Sequence, residues 1–118
     1  MSYDISLLDP VTKETVHVDA PHQIRGGTYA MNGTTEAWLS ITWNYAPYYY
    51  EVFGESGIRT IYGMTGAESI PVLKAAISKL GDDVHPDYWK ATEGNAKKAL
   101  HGLLALAQMR PDGVWDGD

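Results

Sequence analysis

Across residues 36–45 the side chains alternate without interruption, Ala37, Leu39, Ile41, Trp43 and Tyr45 to one side and Glu36, Trp38, Ser40, Thr42 and Asn44 to the other. A period of two sends successive side chains to opposite faces of a strand, so this run requires a sheet with one face on a core. A strand of this kind needs paired neighbours. Residues 3–8 and 15–18 are short β-prone runs separated by Asp9-Pro10 and Lys13-Glu14, which predicts a first hairpin. Pro21 closes the second run. Asn32-Gly33 then supplies a strong hairpin signal immediately before the alternating strand, because both residues tolerate positive φ.

Helical signals follow. Pro47 suits the first turn of a short helix through Tyr48, Tyr49, Tyr50 and Phe53, which Gly54 ends. Residues 58–62 read as a further strand, and Gly63-Met64-Thr65-Gly66 turns it into a helix reaching Leu80, with Ile70, Leu73, Ile77 and Leu80 as the buried stripe. Thr92 caps a last helix over residues 93–109, whose stripe of Ala96, Leu100, Leu103, Leu104 and Ala107 is widened by Ala99 and Leu106. A stripe this broad implies two neighbours, one of which could be a second copy, so a homo-oligomer is expected. Arg110-Pro111-Asp112-Gly113 stops the helix and leaves a short tail with Trp115. The predicted fold is α+β: an antiparallel β-sheet of hairpins with a short helix and two longer C-terminal helices packed on one face, in one domain over residues 1–118.

Charge and composition narrow the function. A net charge of -6 argues against general nucleic-acid binding, which depends on clustered Lys and Arg against phosphate. No apolar run approaches the ~20 residues of a membrane span. The N-terminus lacks a secretory pattern and cysteine is absent, so a cytoplasmic location is expected. Three arginines stand against eight tyrosines and four tryptophans, which favours recognition by aromatic groups.

Several segments could carry chemistry. The strand-to-helix turn around Arg59, Thr65 and Ser69 could bind an anion, since a helix start exposes unpaired N–H groups. It lacks the lysine of a phosphate-binding P-loop. Arg25 beside Gly26-Gly27 offers a second guanidinium where backbone could approach a ligand, although a β-bulge entering the hairpin explains the glycines better. Trp38 interrupts the polar face of the alternating strand and should cover a ligand, a helix or a neighbouring copy. Tyr45, Tyr48, Tyr49 and Tyr50 cannot all point inward, so one or two phenols should line a surface groove. Asp82-Asp83-Val84-His85-Pro86-Asp87 could hold a divalent metal, but its spacing fits no known ligand pattern and acidic loops are commonly plain surface. The acidic tail from Asp112 to Asp118 lacks the ligand spacing of a calcium loop. No nucleophile motif is present, and the four histidines are dispersed. Nothing calls for a cofactor or a resident metal.

The runs Arg25-Gly26-Gly27-Thr28-Tyr29-Ala30, Thr34-Thr35-Glu36-Ala37-Trp38-Leu39, Gly57-Ile58-Arg59-Thr60-Ile61-Tyr62-Gly63 and Met109-Arg110-Pro111-Asp112-Gly113 resemble a group of short, uncharacterised proteins encoded by bacteriophages and prophages. The likeness spans nearly the whole chain and implies an anti-defence setting. Two modes of action fit that setting. One is a sponge-like protein that sequesters a nucleotide-derived immune signal, a cyclic nucleotide or ADP-ribose derivative, without cleaving it. Arg25 and Arg59 would then hold phosphate with help from Thr65, while Trp38, Tyr48 or Tyr49 stack on a base. The other is an anti-CRISPR-like inhibitor that docks on a host effector through Trp38, Trp115 and the tyrosines. A metal-dependent nucleotide hydrolase built on Asp82, Asp83 and His85 is a third expectation.

Overall fold

The computed structural model describes residues 1–22 and 34–118 and has an α+β architecture with antiparallel sheets. Arg25, the Gly26-Gly27 pair and the Asn32-Gly33 turn lie outside the described residues. The strands are β1 (Ser2–Leu8), β2 (His17–His22), β3 (Thr34–Glu36), β4 (Trp38–Thr42) and β5 (Val114–Gly117). The helices are α1 (Ala46–Phe53), α2 (Gly66–Ser78) and α3 (Glu93–Met109), with 3-10 turns at Trp43–Tyr45 and Gly57–Ile61.

Alternation builds the main sheet, in the order β4-β1-β5. Ile5 stands opposite Leu39, and Leu7 opposite Trp115, so Tyr3, Ile5, Leu7, Leu39, Ile41 and Trp115 share the inner face and are buried. Ser2, Asp4, Ser6, Trp38, Ser40 and Asp116 take the other face. The expected first hairpin shrinks to one bridge, Leu8 with Thr15, because β1 spends its two edges on β4 and β5. Near the end of β1 the chain wedges Val16 between neighbours: its N–H donates to the Leu7 carbonyl at 2.9 Å, and its own carbonyl accepts from Ala37 N–H at 2.8 Å. β2 pairs with β3 in a separate two-stranded ribbon.

The C-terminal helices form an antiparallel pair that buries the sheet's inner face. Leu73, Ala76 and Ile77 of α2 meet the core together with Ala96, Leu100 and Leu103 of α3. Each fully buried Leu or Ile is worth about 1.5–3 kcal/mol over exposure. The wide stripe of α3 is therefore satisfied within the molecule: one flank lies on α2, and a Cβ on Gly102 would sit 2.9 Å from Leu39 of β4. Two segments depart from their sequence reading. Residues 58–62 are not a strand, since Gly57–Ile61 is a 3-10 turn in which Ile58 and Ile61, three apart, both point inward. The tail is not loose but forms β5, with Trp115 in the core and its indole N–H donating to Ser69 Oγ at 2.7 Å.

Candidate functional site

Just past β4 the alternating pattern runs out of sheet. Thr42 caps the 3-10 turn, its Oγ1 accepting from Asn44 N–H at 3.2 Å, and Trp43 is left at the sheet's end with its N–H donated to the Met1 carbonyl at 3.1 Å. Trp43 stays 39% exposed. Its ring lies 5.8 Å from that of Tyr3, and the Arg59 guanidinium sits over both, 5.1 Å from the Tyr3 centroid and 6.0 Å from Trp43. These are distances for cation–π attraction. Arg59 Nε donates to the Asp118 carbonyl at 2.9 Å, which ties the 3-10 turn to the end of β5.

Tyr50 completes this surface at 45% exposure. Its ring rests on Gly57, where a Cβ would come within 3.1 Å of it; Gly57 also holds φ at 57°, a conformation glycine adopts without a side-chain clash. Burial, and after it the adjacent Tyr50, push the Tyr3 phenol above its ordinary value. Tyr62 lies on the β5 side, where burial foremost and Asp118 next push its phenol up to about 12. Its hydroxyl finds no hydrogen-bond partner among the described residues.

The anticipated site residues do not converge. Arg25 lies outside the described residues, and Arg59 belongs to the surface just described. Thr65 is the N-cap of α2: its Oγ1 accepts from Glu68 N–H at 3.0 Å while Glu68 Oε1 accepts from Thr65 N–H at 2.9 Å. The next amides are also used, Gly66 N–H by the Gly113 carbonyl at 2.8 Å and Ala67 N–H by the Pro111 carbonyl at 3.1 Å. Ser69 Oγ donates to the Gly66 carbonyl and accepts from Trp115. The helix start that read as an anion site thus has its donors consumed and a carboxylate in front of it.

Tyr49 is also corrected: it is wholly buried, its hydroxyl donating to the Ala96 carbonyl at 3.0 Å, so it cannot stack on a ligand. Burial drives its phenol well above the usual range. Tyr48 is half-buried and donates to the Ala91 carbonyl at 3.1 Å. Trp38 is half-buried on the outer sheet face, opposite Ser6. Trp115, considered as an interface anchor, is instead core. Sequence reasoning assigned Trp43 to the core face and missed its exposure, because the strand ends at Thr42 and the 3-10 turn that follows takes Trp43 out of the alternation.

The acidic connection is structural. Asp82 pairs with Lys97 at 2.7 Å, and that ammonium holds its carboxyl below the ordinary value. Asp83 Oδ1 accepts from Gly94 N–H at 3.0 Å, Asp87 Oδ1 accepts from Trp89 N–H at 3.0 Å, and His85 Nδ1 accepts from Asp87 N–H at 3.0 Å. Each group fastens its own loop, and among the described residues no three His, Asp or Glu side chains gather as metal ligands. The described helices also include none long and apolar enough to cross a membrane. Comparison with protein-family models, curated proteins and solved structures finds no match.

Proposed function

We propose that this protein acts by binding rather than by chemistry, and that it docks on a protein partner through the face formed by Trp43, Tyr50 and Arg59. The observation that carries this reading is the exposure of the two rings, 39% and 45%, both beside Tyr3, with an arginine held over Tyr3 and Trp43. Rigid aromatics and arginine are the residue types that dominate binding energy at protein interfaces. The resemblance to phage-encoded proteins makes a host defence effector the first partner to try. The test is affinity capture from bacterial extract with wild-type protein and with Trp43→Ala/Tyr50→Ala. A partner retained by the first and lost by the second, at equal folding stability, supports the reading; retention by both overturns it.

A second reading, sequestration of a nucleotide-derived signal, keeps one supporting observation: a guanidinium stacked over an exposed indole could take a phosphate while the outer ring face takes a base. Thr65 and Tyr49 have no part in this form of it. Incubation with cyclic nucleotides and ADP-ribose derivatives, followed by heat release and chromatography, would return intact ligand from wild type and none from Arg59→Ala. Altered ligand would instead indicate a hydrolase.

A further inference from the structure

We propose that the partner segment covering the Trp43–Tyr50 face is basic: an amphipathic stretch whose apolar side chains lie on the two rings and whose Lys or Arg side chains meet the surrounding carboxylates. This rests on the protein-docking reading and adds the chemistry of the partner.

Charge is segregated in the molecule. The elements at this end, β1, β4, Trp43–Tyr45, α1, Gly57–Ile61 and β5, with the turn after α1 and Asp118, carry five exposed carboxylate side chains, Asp4, Glu51, Glu55, Asp116 and Asp118. Against them stands one cationic side chain, Arg59, which is turned onto Tyr3 and Trp43 and tied to the Asp118 carbonyl. Five of the six lysines lie elsewhere, Lys13 between β1 and β2, Lys74 and Lys79 at α2, and Lys97 and Lys98 on α3. Lys90 lies between Trp89 and Ala91, whose carbonyls accept from Asn44 and Tyr48; five carboxylates against Arg59 and Lys90 leave this end net negative. The apolar centre thus sits in a negative field. A polyanion approaching it meets repulsion, whereas a cationic segment is drawn in and can place a Lys or Arg over the exposed face of an aromatic ring. Carboxylates at the same end as the apolar anchors also favour a cationic segment over a neutral apolar one, which gains nothing from them.

Two synthetic helix-forming peptides provide the probe, one of Leu and Lys and the other with Glu in place of every Lys. Isothermal titration of the full-length protein should show binding of the Lys peptide, weaker at high salt, and none of the Glu peptide. Trp43→Ala/Tyr50→Ala should weaken the Lys peptide by about tenfold or more. Glu51→Gln/Glu55→Gln/Asp116→Asn should weaken it several-fold and flatten the salt dependence. Tyr50→Lys, a single change at an exposed ring, is the independent variant if the double substitution unfolds, and should weaken binding in the same direction. Failure of the Lys peptide to bind, or binding that ignores both the aromatic and the carboxylate substitutions, overturns the proposal. The two levels separate with a partner captured from extract: loss with the aromatic variant but full retention with the neutralised rim leaves protein docking standing and removes the basic partner.

Discussion

Asn95 has no access to water, and its side chain is fully used. Its Oδ1 accepts from His85 N–H at 2.9 Å, and its Nδ2 donates to the carbonyls of Asp87 at 3.0 Å and Lys90 at 3.1 Å, so one buried amide fixes the whole acidic connection. Asn95→Ala should cost about 2–4 kcal/mol, because it strands a donor and two acceptors at once. Urea denaturation checks this, and a loss under about 1 kcal/mol would show that water replaces the amide. This role was not legible in the sequence: Asn95 is a polar residue at a helix start, and its partners arrive from a loop whose path no local pattern specifies. The tyrosines failed for a related reason. Tyr45 and Tyr49 share the inward phase and Tyr50 the outward one, but with aromatic residues at neighbouring positions composition cannot reveal the rotation of the helix. Trp115 shows the same limit, as an indole in an acidic tail reads as a surface anchor until its hydroxyl partner, far upstream, is known.

At the scale of elements, what could be read was what local periodicity determines. The alternation through Thr42, the cap Thr92 and the broad stripe of α3 appear where the side-chain spacing puts them, whereas Thr65, read as a donor to an anion, is the cap of α2. Residues 58–62 misled because their β-branched residues suit a strand, whereas a period of three buries Ile58 and Ile61 together. β5 was invisible since so short a strand is created by its partners. That strand holds α2, α3 and β1 at one junction, where a Cβ on Gly66 would lie 2.7 Å from the Arg110 carbonyl. Trp115→Ala should therefore cost about 3–5 kcal/mol. Ser69→Ala should cost less, about 1–3 kcal/mol, since it removes the hydrogen bonds to the Gly66 carbonyl and from the Trp115 indole but leaves the ring in place. Equal losses in the two variants would mean that the hydrogen bond, not the packing, anchors the strand.

For the molecule as a whole, buried phenols set an alkaline limit. Burial raises Tyr45 and Tyr49 well above the ordinary phenol value of 10.0 and Tyr62 to about 12. In the unfolded chain these groups ionise near pH ~10. Between that value and the native ones the fold binds more protons than the unfolded chain, so stability falls as pH rises. The urea midpoint should be flat below about pH 9 and drop as pH climbs from ~10 towards ~12, with a late rise in tyrosinate absorbance that coincides with loss of secondary structure. A single early titration without unfolding would contradict the burial of these rings. A different consequence follows from how the main sheet ends. On β4, Thr42 N–H donates to the Tyr88 hydroxyl at 2.7 Å, and that hydroxyl donates to the Ser40 carbonyl at 3.3 Å. On β5, Trp115 N–H and carbonyl are taken by Met64 and Gly63. At each border of the main sheet, part of the outward ladder is thus already taken up within the molecule. Recognition through the proposed Trp43–Tyr50 face would be written in side chains, where single substitutions can erase it.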